Sequence, residues 1–406
     1  MKINIIQLEY ANPVPPIYGG AIEELLNILL EENIIKKKFD ICLFVGIKDK
    51  KTMKLLKPRD DIYYIYINKY IERIYNFFVR LINKIFKILK LDFSFLHYYY
   101  KKIMHKINEE NSIIIFEGSY VEDAKIFKNK FGKDNIYLHI HSQINEKIDI
   151  SLNFGHLISV SKFIENDWKS YLKNNKIQYH TLYNSINQNK FLIKREENMI
   201  ELKRELGFKE DDFIVVFCGR IVPEKGVLEL IESIKLIKNP KIKLLIIGSP
   251  NFANSKYTNY LNKVISSINE SNNKVKFTGY IENDCLYKYY QISDIQVVPS
   301  VWEEAAGLVA IEGMVSGLPL IITNSGGLVE YANNGCSIVV EKDSNLTISL
   351  KNSILELYTN KQQRNNMKKN CLKNSTKFYK EKYYENFVEI MLDNTNIKKA
   401  DDMNYE

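Results

Sequence analysis

Cysteine is rare in this chain and shows none of the spacings that build a metal site or a disulfide framework. The 406 residues contain five cysteines, with no CxxC pair and no Cys/His ligand spacing. They stand at scattered positions: Cys42, Cys218, Cys285, Cys336 and Cys371. We therefore expect no structural zinc site and a reduced, cytoplasmic protein.

Long apolar runs are also missing. No apolar segment reaches the ~18 residues that a membrane-spanning helix needs, so we expect no transmembrane span. The first apolar run, Lys2–Leu8, does not have the pattern of a signal peptide and is predicted to be a buried strand.

Glycine is scarce, with 17 residues, and the pair that follows the first strand lacks the spacing of a dinucleotide-binding loop. Gly19-Gly20 stands before a helical pattern without GxGxxG, which disfavours a dinucleotide site. Two adjacent glycines allow a ligand to approach the backbone closely. The alternative is a loop that needs glycine for its geometry alone.

Length and charge set the broad class of the protein. A chain of 406 residues exceeds one ordinary hydrophobic core, and its alternating strands and helices predict an α/β protein with two domains. The formal net charge of +8 would suit an anionic substrate, an anionic membrane surface or nucleic acid. A solvated, lysine-rich surface explains the same charge. Nucleic-acid binding has no support beyond charge, since the aromatic residues are not interleaved with base-reading elements.

Residues 69–90 combine a helical apolar period with many basic side chains. The apolar positions recur at three- and four-residue steps, and the basic positions are Arg73, Arg80, Lys84, Lys87 and Lys90. One interpretation is an amphipathic helix that lies on an anionic membrane surface. The other is a packing helix of an α/β domain whose exposed face is rich in lysine.

A pair of histidines ends one predicted strand of the N-terminal half. Ile136–Ile140 carries His139 and is followed directly by His141. Because open α/β sheets bind ligands at the carboxyl ends of their strands, His141 is a candidate site residue. We interpret His139 as structural.

The C-terminal half begins with a strand, Phe213–Cys218, whose end carries two cations. Arg220 follows the strand directly, and Lys225 stands before a helix that begins near Val227. An arginine fork and a lysine point charge beside a helix N-terminus could both neutralise a phosphate. In so basic a chain, coincidence explains the same arrangement.

Residues 298–331 concentrate the groups of a ligand site. A predicted strand, Ile295–Val298, leads into a loop with Glu304, and Glu312 follows after seven intervening residues. If a loop carries the first carboxylate and a helix the second, both can serve one pocket. Free backbone N–H groups at the helix start favour a phosphate, and they belong to Ala306, Gly307 and Leu308.

These short motifs follow one another in a characteristic order: Gly219-Arg220, Glu224-Lys225-Gly226, Gly279-Tyr280-Ile281, Pro299-Ser300, the two glutamates, Gly317-Leu318-Pro319 and Gly326-Gly327. Together they resemble the donor half of glycosyltransferase family four, as found in bacterial enzymes of cell-surface polysaccharide and lipopolysaccharide synthesis. The N-terminal half adds Gly19-Gly20, the strand end at His141 and Tyr183-Asn184-Ser185-Ile186. The resemblance therefore spans most of the chain.

The resemblance implies a GT-B fold, in which two Rossmann-like domains face a cleft and a C-terminal helix crosses back to the first. We expect an acceptor domain at residues 1–188, a nucleotide-sugar donor domain at 189–374, the returning helix at 375–394 and a polar tail at 395–406.

The same resemblance implies roles for single residues. Arg220 and Lys225 would bind the donor diphosphate, Glu312 the ribose, and Glu304 a hydroxyl of the transferred sugar. The backbone of Ala306, Gly307 and Leu308 would meet the sugar and phosphates, while Tyr280 and Ile281 would flank the base. Gly19 and Gly20 would line the cleft, and His141 would reach the reacting sugar.

The implied function is a retaining transferase without a metal cofactor. It would move a hexose or N-acetylhexosamine from a UDP-sugar to a cell-surface glycan or lipid-linked acceptor, in the cytoplasm or at the inner face of the membrane. Ala305-Ala306 replaces the Pro-Phe frequent in the family, which alters the wall at the sugar. The alternatives are a nucleotide-sugar epimerase of the same fold and a non-catalytic nucleotide-sugar-binding protein.

Overall fold

The computed structural model describes residues 1–7, 20–91, 93–109, 111–118, 121–144, 150–172, 176–192, 197–250 and 258–403. Its contacts divide the chain into two compact units, Met1–Leu182 with Tyr384–Glu406, and Tyr183–Tyr383. The sequence places the first boundary near residue 188, and the acceptor and donor roles of the two domains stay predictions.

The first unit contains a parallel sheet of seven strands. Its strands are β1 Lys2–Ile6, β2 Asp40–Ile47, β3 Ile62–Tyr66, β4 Ile113–Gly118, β5 Ile136–Ile140, β6 His156–Ser159 and β7 Gln178–Thr181. Its helices are α1 Ala21–Lys36, α2 Lys50–Leu55, α3 Lys69–Ile88, α4 Tyr98–Met104, α5 Ala124–Phe131 and α6 Lys162–Leu172. The strand order is β3-β2-β1-β4-β5-β6-β7, so the direction of winding reverses between β1 and β4.

The second unit repeats this arrangement with six strands. They are β8 Phe213–Cys218, β9 Ile242–Ile247, β10 Val275–Phe277, β11 Ile295–Val298, β12 Leu320–Thr323 and β13 Ser337–Val340, in the order β10-β9-β8-β11-β12-β13. The helices are α7 Glu197–Glu205, α8 Val227–Lys235, α9 Asn259–Asn269, α10 Leu286–Gln291, α11 Leu308–Val315, α12 Leu328–Tyr331, α13 Leu346–Thr359 and α14 Lys361–Ser375. This strand order is that of a Rossmann sheet, with its switch point between β8 and β11.

Side-chain alternation along β8 explains how the second sheet is covered on both faces. Ile214 and Val216 belong to one apolar cluster, whereas Val215 and Phe217 belong to a second. Successive side chains of a strand point to opposite faces, and a parallel sheet needs helices on both. The nearly unbroken apolar run of β8 fits the interior position of this strand, between β9 and β11.

The last helix, α15 Lys380–Met403, begins where the second unit ends and packs in the first unit from Tyr384 onward. Tyr384 donates a 2.6 Å hydrogen bond to Asn33 Oδ1, and the rings of Phe387 and Phe39 pack edge to face at 6.2 Å. Throughout the described segments, every helix is too short or too polar to cross a membrane.

Candidate functional site

The switch point of the second sheet brings together the two loops that the sequence singles out. β8 ends at Cys218 and leads to Arg220, while its neighbour β11 ends at Val298 and leads to Glu304. Loops at the carboxyl ends of such neighbouring strands diverge to opposite sides and leave a crevice where ligands bind. The strand order thus brings Lys225 and Glu304 into contact, although they are 79 positions apart in the chain.

Lys225 and Glu304 form an ion pair in this crevice. Lys225 Nζ lies 2.5 Å from Glu304 Oε1, and Ser300 Oγ donates to the same carboxylate oxygen at 2.5 Å. The Lys225 side chain is 24% exposed and that of Glu304 is 16% exposed, so solvent reaches both. A charged ligand can therefore compete for either partner.

The backbone of the Glu304 loop is held on both sides. Glu304 N–H donates to Ser325 Oγ at 3.1 Å, and its carbonyl accepts from Gly327 N–H at 2.7 Å. Thr323 Oγ1 donates to the carbonyl of Ser300 at 2.6 Å. These supporting contacts were not predicted from the sequence, although Ser300, Thr323 and Ser325 all lie at the carboxyl ends of the neighbouring strands β11 and β12.

Gly226 keeps the Lys225 turn close to the loop that follows β11. Its φ is +65°, and a Cβ at this position would lie 2.0 Å from the carbonyl oxygen of Pro299. Val301 N–H also donates to the carbonyl of Glu224 at 3.0 Å. The absence of a side chain at residue 226 is thus one reason why the Lys225 turn can pack so near to Glu304.

Glu312 lies on α11 and has a different partner. The hydroxyl of Tyr290, a fully buried residue of α10, donates to Glu312 Oε2 at 2.7 Å. Burial, and then the nearby Cys218 and Glu312, hold the pKa of Tyr290 well above its usual value. The phenol therefore stays protonated and orients the carboxylate. The sequence offers no sign of Tyr290, because it is one of many tyrosines on an apolar helix face.

The other predicted donor-binding residues follow β8, β10 and β11. α11 begins after Gly307 without a side-chain cap, so the helix start keeps backbone N–H groups for a ligand. Arg220 is exposed and has no ion-pair partner within the described part of the chain. Tyr280 is 42% exposed, whereas Ile281 packs against the apolar cluster of the second unit.

In the first unit, His139 and His141 converge on one carboxylate. His141 Nε2 lies 2.7 Å from Glu117 Oε1, and His139 Nδ1 lies 3.0 Å from the same oxygen. Burial alone would raise the pKa of Glu117, but the two histidines outweigh it and lower that pKa to about 2. Burial, with the charge of His139, lowers the pKa of His141.

Glu117 was not predicted as a site residue, although an acid near the end of an apolar strand, β4, is a usable signal. The ligand atoms of Glu117, His139 and His141 lie within 4.8 Å of one another, a spacing that could hold a metal ion. Their mutual hydrogen bonds occupy the same atoms, and the expectation of no metal stays a prediction.

The two glycines after the first strand are placed only in part. Gly20 stands directly before α1, where a Cβ would lie 1.6 Å from Glu23 Oε2. Gly19 lies outside the described residues, and so its predicted place in a cleft stays a prediction.

Comparison with known proteins finds similarity to glycosyltransferases at the levels of family, sequence and structure. A family model described as "Glycosyl transferases group 1" matches residues 198–374. The uncharacterised glycosyltransferase MJ1607 of Methanocaldococcus jannaschii is 32% identical over 176 residues, which is 43% of this chain and 43% of that protein. The lipopolysaccharide 1,2-N-acetylglucosaminetransferase of Salmonella typhimurium is 32% identical over 138 residues, which is 33% of this chain and 36% of that protein.

The match thus spans less than half the length of both relatives. Among solved structures, Anabaena HepE in complex with UDP superimposes with a TM-score of 0.69 at 15% identity, covering 97% of this chain and all of that one.

Proposed function

Residues 198–374 form a glycosyltransferase group 1 domain in a chain with the GT-B fold, and from this premise we propose a sugar-transfer reaction. The protein would move a hexose or N-acetylhexosamine from a UDP-sugar to a cell-surface glycan or lipid-linked acceptor. The anomeric configuration would be kept, and the reaction would take place at the cytoplasmic side of the membrane. The Lys225–Glu304 pair at the switch point of the second sheet carries this proposal.

The cations are proposed to bind the donor diphosphate. Lys225 is held by a single carboxylate that solvent reaches, so an incoming diphosphate can replace Glu304 as its partner. Arg220 lies exposed at the end of β8 and can add a forked contact. Departure of the nucleoside diphosphate builds negative charge, which fixed cations stabilise more in the transition state than in the ground state.

The two carboxylates, Glu312 and Glu304, are proposed to bind different hydroxyl groups of the donor. Glu312, oriented by Tyr290, would accept hydrogen bonds from the ribose. Glu304, once released from Lys225, would accept one from the transferred sugar, next to the space that Ala305-Ala306 leaves. Tyr280 and Ile281 would flank the base.

The backbone at the start of α11 completes the proposed donor site. The N–H groups near Ala306, Gly307 and Leu308 would face the phosphates and the sugar, where the helix dipole favours negative charge. Together with Lys225 and Arg220 they supply the positive charge that the leaving group needs, so we propose that the reaction requires no metal.

A role for His141 at the reacting sugar rests on the resemblance alone. Its Nε2 is engaged by Glu117, which fixes the orientation of the ring. We propose Glu117 as the positioning residue for His141. A role for Gly20 at a ligand rests on the resemblance alone.

The deciding experiment is a thermal-shift panel of UDP-, GDP-, ADP-, CMP- and TDP-sugars on the full chain. A ligand that binds only the folded state raises the melting temperature in proportion to ln(1 + [L]/Kd). We expect a UDP-sugar to give the largest shift. Glu312→Ala should abolish that shift, while Glu356→Ala, an exposed carboxylate of the same unit, should preserve it.

Tyr290→Phe separates the positioning of Glu312 from its presence. Loss of one hydrogen bond to a charged group should weaken donor binding by about 10-fold, less than the Glu312→Ala change. Incubation with the preferred donor and NMR of the products then distinguishes the activities. Conversion of the donor sugar without any acceptor would mean an epimerase and would overturn the transfer reaction.

A further inference from the structure

The inward side of α3 carries mostly polar contacts beside the buried Val79, whereas an ordinary surface helix turns an apolar stripe inward. Glu72 is buried and pairs with Lys48 at 3.0 Å. Asn76 Oδ1 accepts from the N–H of Tyr98 at 2.8 Å. Asn83 bonds both the N–H and the carbonyl of Phe95, at 2.8 and 2.9 Å. Polar contacts, together with the buried side chain of Val79, thus attach α3 to the first unit.

The outward side of α3 is apolar. Ile74 is 61% exposed, Phe77 is 64% exposed and Ile88 is 70% exposed. The exposed row consists of Ile71, Ile74, Phe78, Leu81, Ile85 and Ile88. At 3.6 residues per turn these six lie within an arc of about 100°. Surface helices normally turn such a stripe toward the core, so a contiguous exposed stripe indicates an interaction surface.

The segment after α3 lengthens the same surface. Phe93 and Phe95 pack edge to face at 5.2 Å, and Phe86 lies 5.7 Å and 5.9 Å from them. Phe93 is still 58% exposed. The two bonds from Asn83 to Phe95 hold this aromatic group against the helix, so it is a fixed part of the surface.

A row of cations borders the apolar stripe on one flank. Arg73, Arg80, Lys84 and Lys87 are all exposed and lie within an arc of about 60° beside the stripe. Glu72 is the one acid of α3, and it points inward to Lys48. The exposed surface of α3 therefore combines apolar and positive groups, without an acid.

We propose that this α3 surface docks into the interface of an anionic lipid bilayer. Lys and Arg beside a stripe of Phe, Ile and Leu match the acidic headgroups and the upper acyl chains of such a bilayer. A second copy of the chain fits less well, because its own basic row would face like charges. A convex helix of about 30 Å also offers no groove to a partner helix. The proposal does not depend on the sugar chemistry.

The test is flotation of the full chain with two kinds of vesicle: phosphatidylglycerol mixed with phosphatidylcholine, and phosphatidylcholine alone. We expect binding to the anionic vesicles only, weakened by salt. Arg80→Gln/Lys84→Gln/Lys87→Gln should lower the partition coefficient on the order of 100-fold, since each basic residue contributes a factor of about 5. Phe78→Ser/Leu81→Ser should also abolish flotation, and both sites are exposed, so folding is preserved.

A matched control removes three exposed lysines from α14 in the second unit. Lys361→Gln/Lys369→Gln/Lys373→Gln makes the same change in net charge and should leave flotation intact. Glu312→Ala should also leave it intact, which separates failure of the docking from failure of the sugar-transfer proposal. As a depth reporter, Phe78→Trp should show a blue-shifted emission with anionic vesicles.

Three outcomes would overturn the proposal. The first is absence of flotation of the wild-type chain with anionic vesicles. The second is an equal loss of flotation in the α14 control, which would mean that net charge alone attracts the protein. The third is a dimer, in sedimentation without lipid, that the Phe78→Ser/Leu81→Ser variant converts to a monomer, since a second copy would then occupy the α3 surface.

Discussion

In each sheet, charged side chains lie together at the carboxyl ends of the strands, but the two groups differ in their exposure to solvent. In the second unit, Lys225 and Glu304 form a pair that solvent reaches. In the first unit, Glu117 is only 3% exposed and is enclosed by two histidines. The partly exposed Lys225–Glu304 pair can exchange partners with a ligand, whereas the buried Glu117 keeps its two histidines. The first arrangement suits binding, and the second suits the fixing of a ring.

The largest effect is expected when the partly exposed Lys225–Glu304 pair is broken. If Lys225 holds the diphosphate, Lys225→Ala should lower kcat/KM for the preferred donor by about 100- to 1000-fold. The free energy of unfolding should change by less than about 1 kcal/mol, because a partly exposed ion pair contributes little to stability. Steady-state kinetics and urea unfolding measure the two effects. Lys263→Ala is the control, because Lys263 is an exposed lysine on α9. If Lys225→Ala lowered kcat/KM by less than about threefold, Lys225 would not hold the diphosphate.

The second effect tests the buried group through stability. The folded-state pKa of Glu117 is about 2, below its ordinary value of 4.5, so ionised Glu117 stabilises the fold above about pH 4.5. That contribution is lost as pH falls through this range toward 2. Glu117→Gln should therefore lower the free energy of unfolding at pH 7 on the order of 3 kcal/mol, and the deficit should shrink in acid.

Urea unfolding at pH 7 and in steps toward pH 3 measures this deficit. Glu109→Gln is the control, because Glu109 is an exposed partner of Lys2 and should matter by less than about 1 kcal/mol. A deficit for Glu117→Gln that is independent of pH would show that packing, and not charge, determines its contribution.

The smallest effect concerns the turn that carries Lys225. Gly226→Ala brings a Cβ within 2.0 Å of the Pro299 carbonyl at a φ of +65°, whereas Gly207, at a φ of +78°, has open space around the same atom. We expect Gly207→Ala to cost about 1 kcal/mol for left-handed backbone alone. Gly226→Ala should cost about 2–3 kcal/mol, and it should also lower donor affinity. Equal costs in thermal or urea unfolding would mean that the Pro299 contact does not hold the turn.

Much of the fold and part of the site follow from local sequence pattern. The predicted strands Ile136–Ile140, Phe213–Cys218 and Ile295–Val298 are confirmed residue for residue, because each is a short, bounded apolar run. The predicted relation to glycosyltransferases is confirmed, since each of its motifs is a short local stretch that can be recognised within residues 198–374. The segment 187–210 is polar and shows no strand pattern, and it contains the helix α7.

The groups that orient the site were not predictable in the same way. Tyr290, Ser325 and Glu117 act through partners 20 or more positions away, so local pattern does not identify those partners. His139, interpreted as structural, shares a carboxylate with His141, the candidate site residue. His139 is the fourth of the five residues of β5, and His141 follows the strand directly. Because the two positions are two residues apart, both side chains lie on the same face of the sheet.

The sequence by itself determined the period of each element and the residues of each motif, because both depend on neighbours within a few positions. For α3 it determined a helix with an apolar stripe, but periodicity carries no information about which side faces the protein. Only the tertiary structure decided that the stripe faces outward, through the contacts that Glu72, Asn76 and Asn83 make on the opposite side of the helix. It likewise decided that Lys225 meets Glu304, since that contact depends on the adjacency of β8 and β11 in the sheet.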